Sequence, residues 1–296
     1  MDSFELIESY DELCRISDAL KWQSQIGVDT ESDGFHSYFE KLCLIQVSTS
    51  TCDIIIDPLV INDLTPLQEV LENPNIKKIL HASSNDILAF QRDYGYRLRN
   101  LFDTAFAWSL LGHRRCGLAY VLQKEFQVEH PKKSKYQRCN WAIRPLREDQ
   151  LEYARLDTHH LIPLRHRLEE HLFREGLQDK AIEGFNQLEG VTFEPKKPDP
   201  NAYLKIKGAK ELDCKGKHVL KALCRFRDRV ARNQNRSPFR IMTNESMLRL
   251  ARTNPQSIED LLQITGLPKH FKEHQANGLL AVIQRANNRL SEFSDP

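Results

Sequence analysis

The sequence predicts two folded parts, an α/β domain built on a mixed sheet and a small all-helical bundle that follows it. Three strand patterns with short connections come first, and strand and helix patterns then alternate, which is typical of an α/β domain. A segment with three prolines, EPKKPDPNAY (194–203), separates this part from a region with helical periodicity only. We therefore expect an α/β domain over residues 1–190, a linker over 191–212 and a helical domain over 213–296.

The elements of the first part follow from apolar periodicity and from capping residues. Phe4–Ile7 indicates a short strand, and Ser9 with Glu12 predicts a capping box that opens a helix. The remaining predicted strands cover 25–31, 42–48, 52–57, 76–80 and 100–104, and the remaining predicted helices cover 64–71, 85–94, a stretch ending near 112, 117–126 and 149–173.

The later elements include one long loop and at least three helices. Residues 130–145, HPKKSKYQRCNWAIRP, are basic and aromatic and are bracketed by prolines, so we predict a loop. Residues 217–233 carry apolar residues on one helical face, and Ser257 with Asp260 caps a second helix. A last helix carries the apolar residues Leu279, Leu280, Ile283 and Ala286.

Composition and charge argue against a membrane-spanning or exported protein and indicate the kinds of ligand that the chain could bind. No run approaches the roughly 20 apolar residues that a bilayer-spanning helix needs, and no apolar signal-like segment occurs at the start. The seven cysteines are odd in number and dispersed, as in a reducing, cytoplasmic compartment. The 213–296 segment has 15 Lys and Arg against 8 Asp and Glu, whereas the rest has 27 against 33. An acidic front part suits cations, and a basic tail suits a polyanion.

Acidic residues at helical and strand spacings form the candidate chemical site. Asp29 and Glu31 are two apart on a predicted strand and share a face, while Tyr153 and Asp157 are four apart on a predicted helix. Asp86 lies early in the helix after the strand IKKIL. Carboxylates that converge in this way repel one another unless cations lie between them, and oxygen ligands favour Mg²⁺ or Mn²⁺. The pattern predicts two divalent cations that promote phosphoryl displacement.

The motifs around these residues resemble those of the ribonuclease D family of DEDD exonucleases. The similar segments are VDTES (28–32), LCLIQVS (42–48), HASSNDILAF (81–90), LFDTAFAW (101–108), the loop pattern KYQxxxWxxRPL (135–146) and YARLDTHHL (153–161). The arginine-rich helix and the ITGL turn (264–267) resemble the HRDC domain, and the chain has room for one such module. The resemblance implies a ribonuclease H-like exonuclease domain followed by an HRDC-like nucleic-acid-binding bundle.

The resemblance also implies a role for each site residue. Asp29 would bridge both cations, Glu31 and Asp157 would bind the cation that activates water, and Asp86 would support the second cation through water. Tyr153 would position the attacking water. The family's His subtype has histidine five residues before the last Asp, where this chain has Glu152, so the chain resembles the Tyr subtype.

Nucleic-acid contacts are predicted on the loop and on the bundle. Lys135 and Tyr136 combine charge with a stacking surface, as single-strand binding requires. Arg225 and Arg229 are candidates on the bundle, although Arg225, Arg227, Arg229 and Arg232 cannot all face one ligand. Trp141 suits structural anchoring. His81, His159 and His160 are not assigned as ligands, because a carboxylate site does not need them.

The leading functional hypothesis is hydrolysis of RNA from its 3′ end to nucleoside 5′-monophosphates, in maturation of tRNA and other stable RNA. One alternative keeps the chemistry on DNA, as in proofreading or Werner-type exonucleases, and another is an inactive nucleic-acid-binding adaptor. The catalytic motifs begin close to Met1, whereas exosome-associated members of the family have long N-terminal extensions. We therefore expect a bacterial-type cytoplasmic enzyme that binds RNA ends and has no membrane association and no obligate protein partner.

Overall fold

The computed structural model describes residues 4–130, 133–195, 199–267, 271 and 276–291. The chain divides into two compact units. The first unit comprises the residues up to Phe35 together with Lys41–Glu194, and the second comprises His36–Glu40 together with the chain from Pro195 onwards. The two-part architecture predicted from the sequence, an α/β domain with a helical bundle, is confirmed.

The first unit is built on a six-stranded mixed sheet. Its strands are β1 (Phe4–Ile7), β2 (Gln25–Ser32), β3 (Leu42–Ser48), β4 (Asp53–Ile56), β5 (Lys77–Leu80) and β6 (Leu101–Asp103). The order across the sheet is β1-β4-β3-β2-β5-β6. The β2–β3 and β3–β4 pairs are antiparallel and the other three pairs are parallel, which confirms the predicted mixed sheet.

Nine helices accompany this sheet among the described residues. They are α1 (Tyr10–Leu20), α2 (Thr65–Leu71), α3 (Ser84–Tyr94), α4 (Thr104–Leu110), α5 (Leu118–Phe126), α6 (Lys133–Tyr136), α7 (Glu148–His159), α8 (Leu161–Arg174) and α9 (Gln178–Glu189). The capping box of Ser9 and Glu12 opens α1 as predicted.

Two predictions for this part are wrong in detail. The helix predicted over 149–173 is two helices, α7 and α8, separated at His160. Pro163 lies in the first turn of α8, where its missing N–H is tolerated, but it could not donate a hydrogen bond within one continuous helix. The segment predicted as a loop over 130–145 contains the one-turn helix α6.

The two faces of the sheet have different partners. Ile26 and Val28 of β2 point into a core shared with α1, α2 and α3. Gly27 points the other way: a Cβ atom there would lie 3.1 Å from the Thr158 carbonyl oxygen and 3.3 Å from the Leu161 Cβ atom. Glycine therefore lets β2 approach the junction of α7 and α8 closely. Asp29 and Glu31 follow at alternate positions, so they face α7 as well.

The second unit is helical and includes a piece of the β2–β3 connection. Its helices are α10 (Cys214–Asn233), α11 (Pro238–Ile241), α12 (Asn244–Thr253), α13 (Ile258–Gln263) and α14 (Ala276–Ser291), preceded by 3₁₀ turns at Ala202–Lys205 and Ala209–Glu211. The predicted capping pair Ser257 and Asp260 opens α13. Among the described residues, no helix is long and apolar enough to cross a bilayer.

Residues 36–40 pack into this second unit through specific contacts. The Tyr38 hydroxyl donates to Asp228 at 2.9 Å, and the Phe39 amide donates to the Asn235 side chain at 2.9 Å. The Ser237 amide donates to the His36 carbonyl oxygen at 2.9 Å. The β2–β3 connection therefore contributes to the helical unit, which the sequence did not indicate.

Candidate active site

Three carboxylates meet where β2 ends beneath α7. Asp29, Glu31 and Asp157 each present an oxygen atom, and these atoms lie within 4.8 Å of one another. Asp29 and Glu31 come from alternate positions of β2, and Asp157 comes from the last turns of α7 and is 5% exposed. Holding like charges this close, with Asp157 buried, is unfavourable without a counter-charge. The oxygen-only donor set therefore fits hard divalent cations.

Buried polar contacts fix α7 against the sheet. Arg155 donates to Asp53 of β4 at 2.7 Å, and both side chains are about 7% exposed or less. Ser48 of β3 donates to the other Asp53 oxygen at 2.6 Å, and the Ser48 and Thr158 hydroxyls lie 2.6 Å apart. These contacts bracket Asp157 in the sequence and so restrict where its carboxylate can lie.

Asp86 contacts β2 at the side chain of Thr30. The Thr30 hydroxyl donates to the Asp86 carboxylate at 2.5 Å, and Asp86 lies in the first turn of α3 with 6% exposure. Asp86 is not part of the three-carboxylate group. Burial raises the pKa of Asp86 to about 7, against which the Thr30 hydrogen bond acts to lower it, while the charge of Asp103 raises it further. The structure thus places Asp86 against Thr30 of β2, the residue between Asp29 and Glu31 in the sequence, but not within the carboxylate group.

Tyr153 lies buried on α7 among aromatic rings and acids. Its ring stacks on the Tyr136 ring, with centroids 4.5 Å apart and planes inclined by 17°. The ring centroids of Trp141 and Tyr153 lie 6.4 Å apart. Burial raises the pKa of the Tyr153 hydroxyl well above its usual value, and the charges of Asp157 and Glu31 add to this effect. The hydroxyl is therefore a neutral donor next to the carboxylates at every physiological pH.

His130 is a neighbour of this site that the sequence interpretation missed. Its Nε2 atom lies 3.4 Å from Asp157 Oδ1, its side chain is almost fully buried, and its ring meets Tyr153 edge to face at 5.9 Å. The only available signal was its place at the start of the basic loop, which does not report on contacts with α7.

The residues of the basic segment 130–145 differ in exposure and in contacts. Lys135 is exposed and donates to Asp149 at 2.7 Å, and the Tyr136 hydroxyl donates to the same carboxylate at 3.3 Å. Trp141 is fully buried, as structural anchoring requires. Arg144 donates to the Cys43 carbonyl oxygen at 2.9 Å and to Asp57 at 2.8 Å, which ties the end of the loop to the sheet.

The histidines that were not assigned as ligands have structural contacts. His81 donates through Nε2 to the Cys116 carbonyl oxygen at 2.7 Å, and its Nδ1 atom lies 2.8 Å from the Thr104 hydroxyl. His159 Nδ1 lies 2.7 Å from Asp53. Burial lowers the pKa of His160 to about 4, so this imidazole is neutral at physiological pH. All three lie outside the carboxylate group.

A basic cavity of about 300 Å³ lies between α10 and α14 in the second unit. Arg225 and Arg229, one helical turn apart on α10, line it together with Lys221 and with Arg285 of α14. Arg227 points elsewhere and donates to the Met242 carbonyl oxygen at 3.0 Å. As expected, the arginines of α10 do not all lie on one face of the helix.

Comparisons with known proteins agree with the fold. The model of the 3′-5′ exonuclease family matches residues 4–172, and the HRDC domain model matches residues 217–283. The chain therefore combines a 3′-5′ exonuclease domain with an HRDC domain, and it belongs to the ribonuclease D family.

Individual relatives align over nearly the whole chain. Ribonuclease D of Haemophilus influenzae is 30% identical over 99% of this chain and 73% of its own length. The exosome complex component 10 homolog of Caenorhabditis elegans is 33% identical over 96% of this chain but only 32% of its own length. The chain therefore spans about a third of that relative. The catalytic core of RRP6 from Trypanosoma brucei superposes with a TM-score of 0.87 at 27% identity, covering 97% of this chain and 80% of that one.

Proposed function

We propose that this protein is a 3′→5′ exoribonuclease that uses two divalent cations and releases nucleoside 5′-monophosphates. The observation that carries the proposal is the meeting of Asp29, Glu31 and Asp157 beside the buried Tyr153. The family membership supports the direction and the chemistry. An inactive adaptor would not need to keep the metal acids and the tyrosine, all of which are present.

Each carboxylate would have its own role in holding the two cations. By the family resemblance, Asp29 would bridge both cations, while Glu31 and Asp157 would bind the first. Asp86 lies outside the group and would support the second through water. Mg²⁺ or Mn²⁺, when bound, would activate water and stabilise the leaving 3′ oxygen.

Tyr153 would position the attacking water through its hydroxyl. Its raised pKa keeps the proton on the phenol, so the group acts as a hydrogen-bond donor and not as a base. The stacking of Tyr136 on its ring restricts the ring orientation. Tyr153 stacks on the Tyr136 ring and the Lys135 ammonium lies over that ring, 5.1 Å from its centroid, so a base that stacks on Tyr136 would have to displace Lys135.

RNA is the proposed polymer because a relative named Ribonuclease D aligns with 99% of the chain. Stable RNA such as tRNA precursors is the proposed substrate class. A DNA exonuclease with the same chemistry is the second candidate, because the carboxylate site itself does not read the 2′-OH.

The comparisons bear on the expected protein partners and compartment. The expectation of an enzyme with no obligate protein partner is not confirmed, since several relatives are named as exosome components. We propose RNA 3′ ends as the ligand, with an exosome-type assembly as a further partner. A cytoplasmic location stays a proposal that rests on the reduced cysteines and on the bacterial relative.

The test is an end-label assay with matched RNA and DNA oligonucleotides and Mg²⁺ or Mn²⁺. With 5′-labelled RNA we expect a ladder that shortens from the 3′ end, and with 3′-labelled RNA an immediate labelled 5′-monophosphate. The variant Asp157→Asn should be inactive while keeping its thermal unfolding in chelator. Release of a labelled mononucleotide from the 5′ end would contradict the direction, and faster degradation of DNA would favour the second candidate.

A further inference from the structure

Gln46 is a buried polar residue in the middle of β3, directly opposite Asp29. The two residues are register partners in the antiparallel β2–β3 pair, and such partners point to the same face of a sheet. Ser48, two residues further on β3, contacts Thr158 of α7. Gln46 therefore also faces α7, and its carboxamide lies under the helix that carries Tyr153 and Asp157.

This carboxamide has no hydrogen-bond partner among the described residues. Gln46 is 0% exposed, and neither its side-chain nitrogen nor its oxygen has a partner. Leaving a buried polar group unpaired costs about 1–3 kcal/mol, whereas an apolar side chain of the same length would cost nothing of this kind. The hydroxyl of Ser48, on the same face of β3, contacts Asp53 and Thr158 and is not a partner of Gln46. A buried amide without a partner therefore indicates that Gln46 gains a hydrogen-bond partner when cations are bound at the site.

The chemistry of an amide suits the carboxylate next to it. Carboxylates that hold a cation are commonly fixed by hydrogen bonds to their remaining lone pairs. A lysine or arginine at this position would neutralise the charge that attracts the cation, and an acid would add repulsion. The neutral NH₂ group of glutamine donates a hydrogen bond without either effect.

We propose that Gln46 is a positioning residue for the cation site, and this rests on the function proposed above. Its NH₂ group donates to Asp29, directly or through one water molecule, when cations are bound. The hydrogen bond holds the Asp29 carboxylate in the orientation that lets it bridge the two cations. Gln46 touches neither substrate nor the reacting atoms.

The test is the variant Gln46→Met, which keeps the side-chain length and removes both polar atoms. In chelator we expect thermal unfolding at the wild-type temperature or above it, because the unpaired amide is gone. By titration calorimetry with Mn²⁺ alone, affinity should fall about 10- to 100-fold. Turnover should fall while KM for RNA stays near the wild-type value. Unchanged Mn²⁺ affinity in a folded variant would overturn the proposal.

Controls separate this proposal from a structural effect and from failure of the proposed function. Ser17→Ala removes another buried oxygen without a partner, in α1 on the opposite side of the sheet, and should leave Mn²⁺ affinity unchanged. If Gln46→Met does not fold, Gln46→Leu serves in its place. Absence of Mn²⁺ binding and RNA hydrolysis in the wild-type protein would contradict the proposed function itself. Wild-type behaviour of the Gln46 variant beside an active wild-type protein would contradict only the positioning role.

Discussion

At the scale of single residues, the candidate site consists of side chains whose properties are set by burial. Tyr153 remains protonated because it is buried beside acids, and Asp86 is harder to ionise than an exposed aspartate for the same reason. Each of these effects gives a measurable consequence for one substitution.

Replacing Tyr153 with phenylalanine removes the hydroxyl and retains the ring that stacks on Tyr136. We expect turnover of RNA to fall by about 10²-fold or more, the range for a positioned proton donor, with Mn²⁺ affinity unchanged. Single-turnover kinetics and calorimetry measure the two quantities. Tyr10→Phe is the matched control, since it removes an exposed hydroxyl on α1 and should stay close to wild type. Equal activity of both variants would contradict the role of Tyr153.

Replacing Asp86 with asparagine tests its raised pKa in the metal-free protein. The carboxyl has a pKa of 3.8 when exposed and about 7 when folded, so the folded state loses stability as the pH rises between these values. Asparagine does not titrate and can still accept the Thr30 hydrogen bond. In chelator, the variant should therefore gain several °C in unfolding temperature over wild type at pH 8 and clearly less at pH 5. The same difference at both pH values would show that Asp86 is not perturbed.

At the scale of elements, α7 is the part that assembles the site, because it brings Tyr153 and Asp157 to β2. Its anchors are the buried pair of Arg155 and Asp53 and the close approach at Gly27. The sheet and most helices of the first unit are predictable, since their apolar periodicity is local. Helix α9 was not predicted because its buried face consists of only Ala181, Gly184 and Phe185, which gives a weak pattern.

The variant Arg155→Met tests the anchor of α7. It leaves the Asp53 carboxylate buried with a weakened set of partners, so we expect a loss of about 3–5 kcal/mol in the free energy of unfolding. Chemical denaturation measures this quantity. The control Arg15→Met removes an exposed pair with Glu5 and should leave the free energy of unfolding nearly unchanged. Similar losses in both variants would mean that the buried pair does not hold the helix.

At the scale of the whole molecule, an acidic cation site and a basic helical unit occur in one chain. The charge asymmetry of the sequence indicated this division. Part of the positive charge of the second unit lines the cavity between α10 and α14, where Arg225 and Arg229 lie on one side of α10. Point substitutions test it better than truncation, because residues 36–40 also belong to the second unit.

The double variant Arg225→Gln and Arg229→Gln tests RNA binding by this cavity. If both residues contact phosphates, the slope of log affinity against log salt concentration should flatten by about 1.4, since each contact to a single strand contributes about 0.7. Filter binding or anisotropy at several salt concentrations measures it. The control is Arg249→Gln with Arg252→Gln, whose side chains pair with Glu245 and Glu211. An unchanged slope in the first variant would contradict the assignment.

The sequence by itself predicted the carboxylate group and the family of this protein, because both depend on local spacing and motifs. Strand alternation put Asp29 and Glu31 on one face, helical spacing did the same for Tyr153 and Asp157, and the motifs around them indicated the family. Only the tertiary structure decided the long-range contacts: His130 beside Asp157, the side on which Asp86 approaches β2, and the unpaired amide of Gln46 opposite Asp29. These contacts depend on strand register and on the docking of α3 and α7, which residue spacing within one segment does not encode.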